Sequence, residues 1–260
     1  MPQTVIIAPT AEPLHLAEAK AHLRQTLTEE DTLIVALIAA ARAHVETFTR
    51  LALVTRTLTW RFDAFPARGW LEFPVAPVRK VNSVKYIDTD GVQQTWSAAS
   101  YRLDLASEPA RLTPAWGETW PFARGVVNAV EIECVAGYIT PFTANDASDL
   151  ITAVPSHVYV DGAPIELSNS GGTLPASLAA LTTYYGRDVA GAGLRLAATA
   201  GGSAIDITAS GTGTHFLGRL PDPMRAALLL LVQYHEQRNA NTALRDAAEL
   251  LLTPYSTLRV

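Results

Sequence analysis

The stretch Val130-Glu-Ile-Glu-Cys-Val-Ala-Gly-Tyr-Ile-Thr140 marks the point at which the character of this 260-residue sequence changes. A block of short apolar segments that are predicted strands leads up to this stretch. Val126–Tyr138, which overlaps the stretch, is predicted to be the last of these strands. After it, residues 140–220 hold 11 of the 16 glycines and none of the lysines. Cys134, the sole cysteine, excludes a disulfide within the chain, and its apolar neighbours predict burial.

Upstream of this boundary the sequence alternates in the way that strands do. Turn residues such as Asp90-Gly91 separate the alternating runs. The predicted strands are Thr55–Phe62, Trp70–Phe73, Val78–Ile87, Val92–Trp96, Tyr101–Leu105 and Ala110–Leu112. Several Trp and Phe residues lie in this block, and we expect them to pack in a core or at an interface between subunits.

Two helices are predicted before residue 51, over 16–25 and 29–50. Thr28 is a suitable N-cap, and acidic residues follow it in the first turn, where the helix dipole favours them. An apolar stripe is predicted for the longer helix on Leu33, Leu37, Ala41, Val45 and Phe48. The opposite face is rich in alanine, and the small side chains of Ala36, Ala40 and Ala43 would allow close approach of a neighbouring helix.

Downstream of the boundary, turn signals recur every eight to twelve residues through the region 140–220. Strand-like runs lie between them, at 158–160, 165–167, 182–185, 194–197 and 204–208. This pattern predicts a small all-β sandwich or barrel. Helices are expected again from Pro221, ending with a short helix over 243–252 and a tail from Pro254.

The order helices, strands, β region and helices predicts one domain interrupted by another. We expect residues 1–139 and 221–260 to form the host domain and residues 140–220 to form the insert.

Bulk composition restricts the function. The formal net charge of −5 and the absence of a basic stripe argue against a protein that grips nucleic acid through its phosphates. The first residues lack the basic and apolar segments of a signal peptide, and the apolar run 226–232 is too short to cross a membrane. We therefore expect no membrane partner.

No motif for catalysis or for a cofactor is found. His235-Glu236 begins an HExxH pattern, but Asn239 stands where the second histidine is needed. No nucleotide-binding glycine motif or nucleophile elbow occurs. The sequence thus predicts no catalytic, cofactor-binding or metal-binding residue, and no enzyme.

Several segments, taken in order, resemble the head–tail connector (adaptor) family of tailed bacteriophages, which also occurs in gene transfer agents. The first is Leu14-His-Leu-Ala-Glu-Ala-Lys-Ala-His-Leu-Arg24 with the helix that follows it. Further matching segments are Leu71–Val78, Val84–Asp88, Tyr101–Asp104, Trp120-Pro121, Ile132–Tyr138, Pro221–Asn239 and Leu251–Tyr255. The resemblance covers about 180 residues, everything outside 140–220, which itself looks like a β-module of phage structural proteins.

The resemblance implies an α+β protein: a mainly helical connector domain with a small β-rich part, interrupted by an all-β sandwich or barrel-like insert. It implies a dodecameric ring in the virion neck that joins the portal protein to a stopper or tail-terminator protein. In such a ring we expect Ala36, Ala40 and Ala43 to pack against a neighbouring subunit. Genomic double-stranded DNA would pass through the ring without sequence-specific binding. Before assembly the chain would lie in the host cytoplasm.

The tail is expected to contact the portal. The residues proposed for this contact are Pro254, Tyr255, Leu258, Arg259 and Val260. A different class remains open, a virion accessory protein that binds a receptor or glycan through the insert, with Tyr184 and Tyr185 able to stack on a sugar.

Overall fold

Short strands make up more of this chain than helices do. The computed structural model describes residues 3–67, 69–153, 158–237 and 241–256, and all of the following strands and helices lie within these ranges. The strands of the first half are β1 (Gln3–Ile7), β2 (Arg56–Phe62), β3 (Leu71–Glu72), β4 (Val78–Ile87), β5 (Gln93–Trp96), β6 (Tyr101–Asp104), β7 (Arg111–Pro114) and β8 (Val130–Ala136). Those of the second half are β9 (Thr140–Asn145), β10 (Leu150–Ala153), β11 (Pro164–Ser170), β12 (Thr183–Ala190), β13 (Gly193–Ala197) and β14 (Thr214–Leu217). The helices are α1 (Leu16–Leu23), α2 (Asp31–Thr49), α3 (Asp222–Glu236) and α4 (Thr242–Leu252).

The chain divides into two compact units. The first comprises Met1–Ala8 and Thr55–Gly137, and the second comprises Pro9–Val54 and Tyr138–Val260. These boundaries differ from the expected ones, because the second unit holds the helices together with the β-rich region after Tyr138. That residues 140–220 are an insert in a host domain of 1–139 and 221–260 stays a prediction.

The first unit is built on an antiparallel sheet in the order β1-β2-β8-β4-β5. Strand β8 lies in the middle, pairing with β2 from Arg56 to Phe62 and with β4 from Val78 to Tyr86. One face of β8 is buried, with Val130, Ile132 and Cys134 on it, whereas Glu131 and Glu133 on the other face are partly exposed. Cys134 is fully buried, as predicted. A smaller sheet in the order β3-β7-β6 completes the unit.

The second unit contains a closed barrel in the order β10-β13-β12-β11-β14-β9. Every second residue points inward along the strands, as Ile165 and Leu167 do in β11 and Leu194 and Leu196 do in β13. Closure pairs β14 with β9, which removes the exposed edges that an open sheet would leave. The expected all-β region therefore has its strands between Thr140 and Leu217.

The helices of the same unit pack side by side. Helix α2 contacts α3, and α3 contacts α4. The buried side chains of α2 are Ile34, Ile38, Ala41, Val45 and Thr49. Leu33, which was predicted to begin the buried stripe, is 54% exposed. The buried stripe begins one residue later than predicted. The helix also begins at Asp31 with Glu30 as its N-cap, and not at Glu29 after Thr28.

The expected fold class is wrong. The chain is 33% strand and 24% helix, with three sheets and four helices among its described elements, so it is not a mainly helical connector with a small β-rich part. The physical reason lies in the first unit, where the segments from β2 to β8 pair into two sheets with no α-helix between them among the described residues. The strands were visible in the sequence, whereas the helical class rested on the resemblance.

Candidate interaction surfaces

The outer face of α2 is apolar and lacks cover within its unit. Ala36, Ala40 and Ala43 are all exposed, on the side opposite the stripe that packs on α3. With Leu33 and Thr47, also exposed, they recur at alternating spacings of three and four residues. Such spacing places them in one line along the helix. Their predicted role in subunit packing stays a prediction, but the structure brings the three alanines onto one accessible face.

Helix α2 also has the length and hydropathy of a membrane-crossing helix, the one such helix in the described part of the chain. Only 28% of its most apolar window is buried. A core helix of a soluble protein can pass the same test, and the stripe packed on α3 favours that interpretation for α2. The expectation of no membrane partner stays a prediction.

A second surface, which the sequence did not single out, lies in the first unit between β7 and β8. We call residues 115–127 the aromatic arm. Its two most exposed aromatic side chains, Trp116 and Phe122, are 97% and 88% exposed. Val127 at the far end is 77% exposed. Large apolar side chains left in water at this density are uncommon in a monomer and mark interaction sites.

The aromatic arm is held at its base. Trp120 stacks on Phe65 with ring centroids 5.1 Å apart, and its ring centroid lies 5.5 Å from that of Trp96. The backbone N–H of Ala115 donates to the Ser100 carbonyl at 2.9 Å, and that of Arg124 donates to the Ile87 carbonyl at 2.8 Å. Because these contacts fix both ends of the arm, Trp116 and Phe122 are presented on a supported loop.

The aromatic arm forms one wall of a groove of about 1080 Å³, which we call the aromatic groove. Its lining includes four aromatic side chains and three prolines, among them Phe65, Pro66, Trp116, Trp120, Pro121 and Phe122. Arg102 and Glu118 also line it, and within the described residues neither side chain has an ion pair. An apolar groove with a few charged groups at its wall suits an apolar surface that carries charges of its own.

The predicted portal-contact residues follow α4. Thr253–Tyr255 form a short 3₁₀ helix, in which Pro254 is exposed and Tyr255 is half-buried. Leu258, Arg259 and Val260 lie outside the described residues. The structure therefore shows where the tail leaves the helices, and the contact with a portal stays a prediction.

The barrel offers little to a sugar at the expected place. Tyr184 is 5% exposed and belongs to the barrel core, where its hydroxyl oxygen accepts a hydrogen bond from the Ala179 N–H at 2.8 Å. Tyr185 is half-buried. Stacking of Tyr184 on a ligand is therefore excluded, because its ring is already packed against other barrel side chains.

One histidine lies in a barrel groove of about 590 Å³. His215 is 7% exposed, its Nδ1 lies 2.9 Å from the Asn169 side-chain nitrogen, and its ring packs on Phe142. Burial lowers the pKa of His215 below its usual value of 6.5, so the ring is neutral at pH 7. A neutral, packed imidazole of this kind serves the barrel core.

Metal ligands do not converge in the described ranges, where no group of three or more His, Cys, Asp or Glu side chains could hold an ion. The predictions of no cofactor, no catalytic residue and no enzyme stay predictions.

Comparison with known proteins adds a likeness in fold. The whole chain is similar to a chain from the virion of a native gene transfer agent (GTA) particle, with 20% identity, a TM-score of 0.58, and coverage of 100% of this chain and 97% of that chain. It is similar to a chain from the neck of an empty GTA particle computed with C6 symmetry, at 22% identity and a TM-score of 0.58. The neck of a native GTA particle computed with C12 symmetry contains another similar chain, at 21% identity and a TM-score of 0.53. The last two alignments also cover 100% of this chain and 97% of the other.

No family model and no curated protein matches the chain. At these identities the structural likeness shows a shared fold, which spans both compact units.

Proposed function

We propose that this chain is a structural subunit of the virion neck of a tailed bacteriophage or a gene transfer agent. The observation that carries the proposal is the likeness in fold over 100% of the chain to chains from GTA virion and neck structures. The head–tail connector resemblance, which rests on separate sequence segments, leads to the same place in a particle.

In the proposed neck, copies of the chain form a ring that joins the portal protein to a stopper or tail-terminator protein. The C12 and C6 symmetries of the similar neck structures support a ring, and twelve copies are the number we propose. Closed rings require a head-to-tail contact between two different surfaces of each copy. The outer face of α2 is our candidate for one of them.

Double-stranded DNA is proposed to pass through the ring without sequence-specific binding. The net charge of −5 supports this, since a channel wall that repels phosphate does not hold the duplex. A ring whose inner wall proved strongly basic would contradict this part of the proposal. The proposal includes no catalytic step.

The test is electron microscopy of the purified particles that contain this chain, with the chain built into the density. We expect a ring between the portal and the tail. Particles lacking the gene serve as the control and should lose that density alone or fail to join heads to tails. Density for the chain at a tail tip or fibre would contradict the proposed function.

A further inference from the structure

The outer face of α2 and the aromatic groove are two apolar surfaces that the described residues leave open, one in each compact unit. We infer that the outer face of α2 from one copy lies in the aromatic groove of the next copy. The inference rests on the proposed ring and specifies the contact between its subunits.

Shape supports a second copy as the occupant. The outer face of α2 carries small side chains at Ala36, Ala40 and Ala43, which let a partner approach the helix backbone closely. The groove carries the opposite, large rings on a supported arm. A helix that presents apolar residues at such spacing is a common occupant of an aromatic groove.

Charge supports the same pairing. Glu29 and Glu30 are exposed at the beginning of α2, and neither has an ion pair within the described residues. Arg102 in the groove and Arg124 at the end of the arm are likewise exposed and unpaired there. The dipole of α2 adds positive potential at the same helix end, yet two full carboxylate charges outweigh its half charge. Seating the helix would bring two carboxylates toward two guanidinium groups. Glu118, which also lines the groove, offsets one of these positive charges and leaves a net charge of +1 on the three side chains Arg102, Glu118 and Arg124.

The size of the contact fits as well. Trp and Phe side chains each bury about 150–250 Å² when covered, so Trp116 and Phe122 would supply roughly half of the ~800 Å² per partner of a standard interface. The 19-residue α2 can supply the other side. Contact between two different surfaces is the head-to-tail kind, which a ring needs.

Disulfide formation between copies tests the contact. We would make Thr119→Cys on the aromatic arm and Ala40→Cys on α2 as separate full-length variants. Native Cys134 is fully buried, so it does not contribute background. A disulfide forms only where Cα atoms come within about 7 Å. After equal mixing at high concentration and mild oxidation, we expect several-fold more disulfide-linked dimer than either variant forms alone.

Leu250→Cys is the matched control for Ala40→Cys. Leu250 is on α4 and is 74% exposed, so the new thiol is equally accessible but lies off the proposed surface. Mixing it with Thr119→Cys should give only background cross-linking. Yields no higher for Ala40→Cys than for Leu250→Cys, in purified protein and in assembled particles, would overturn the inference.

Self-linking is equally informative. Efficient disulfide-linked dimerisation of Thr119→Cys alone would show that the aromatic arms of two copies contact each other. Efficient dimerisation of Ala40→Cys alone would show that the α2 helices of two copies contact each other. Either result would overturn the inference in favour of a two-fold contact.

Charge exchange adds a specific readout. Arg102→Glu should lower the yield of the mixed disulfide several-fold, and Glu30→Arg on the α2-bearing partner should restore it. A general loss of folding would not be rescued in this way, so restored yield requires that the two positions meet.

The outcome is separable from the proposed function. If electron microscopy showed a neck ring but the mixed disulfide did not form, the inferred contact would be contradicted and the proposed function would stand. If the mixed disulfide formed but the chain lay elsewhere in the particle, the inferred contact would stand and the proposed function would be contradicted.

Discussion

Ser170 Oγ in β11 donates a 2.5 Å hydrogen bond to Glu18 Oε2 in α1. The other carboxylate oxygen of Glu18 accepts a hydrogen bond from Arg225 Nε in α3 at 2.7 Å. The His15 N–H, just before α1, donates to Ser170 Oγ at 2.6 Å. A single carboxylate therefore joins the barrel to two helices of the same unit, at a place where Ser170 is only 3% exposed.

Glu18→Gln should lower the free energy of unfolding by about 1–3 kcal/mol, because a buried hydroxyl and a guanidinium both lose a charged acceptor. Urea unfolding followed by circular dichroism measures the change. Glu29→Gln removes the same charge from an exposed side chain and is the matched control. Equal unfolding midpoints for the two variants would show that the junction does not stabilise the unit.

Asp104 in the first unit gives stability a dependence on pH. Hydrogen bonds from the Ser107 hydroxyl and then from the Arg111 guanidinium lower the pKa of Asp104 from its usual 3.8 to about 2. The folded state thus holds the charged form more tightly than the unfolded state does. The stabilisation is present above pH 3.8 and is lost as the pH falls toward 2.

Asp104→Asn should therefore lower the thermal midpoint at pH 6, and the difference from the parent protein should shrink as the pH falls from 4 to about 2. Melting followed by circular dichroism across this range measures it. Asp90→Asn, on an exposed turn of the same unit, is the control and should show a much smaller difference. A difference in thermal midpoint between Asp104→Asn and the parent protein that stays constant with pH would contradict the lowered pKa of Asp104.

Strands were predicted well where apolar and polar residues alternate along the sequence. Strands β2 and β8 lie close to their predicted ranges because apolar and polar residues alternate along most of their sequences, and β4 has its predicted bounds although bulges interrupt its alternation. Strand β1 was missed. Its Val5, Ile6 and Ile7 are consecutive and each 44–52% exposed, so no alternation marks it, and only pairing with β2 shows that it is a strand.

Apolar residues around the whole circumference of α2 made its buried side ambiguous. Leu33, Ile34 and Val35 are adjacent and chemically alike, and Ile34 is the buried one because α2 packs on other helices of its unit, among them the sequence-distant α3. The aromatic arm was missed for a different reason. Its Trp and Phe residues were expected in a core or at an interface between subunits, and no loop was assigned to them, although Gly117, Pro121 and Gly125 around them indicate one. Whether such aromatic side chains are buried depends on the tertiary fold, which local sequence patterns do not specify.

Cys134 should be inert in the folded protein. Burial, with a smaller contribution from the neighbouring Glu133 carboxylate, raises the pKa of the Cys134 thiol to about 12, so the reactive thiolate is scarce at pH 8. A colorimetric thiol reagent should give no signal in buffer and one equivalent in 6 M guanidinium. Ala40→Cys is the positive control and should react at once under both conditions. Rapid modification of the native parent protein would show that β8 opens readily.

The tail should be needed for portal docking and not for folding. Leu252 is the last fully buried residue of α4, and Ser256 is the last residue that the structure describes. Removing 257–260, which include Leu258, Arg259 and Val260, should change the free energy of unfolding by less than about 0.5 kcal/mol. Extending the deletion to Pro254 and Tyr255 tests the whole predicted contact.

Portal docking is measured by co-sedimentation with the portal protein of the same particle. Both deletions should abolish it, since the apolar and basic side chains proposed to contact the portal are gone. A variant whose residues 257–260 are replaced by Gly-Ser-Gly-Ser keeps the length and separates loss of side chains from loss of chain. If that variant and both deletions still sediment with the portal as the parent does, the docking surface lies elsewhere, and the exposed aromatic arm becomes the first place to search for it.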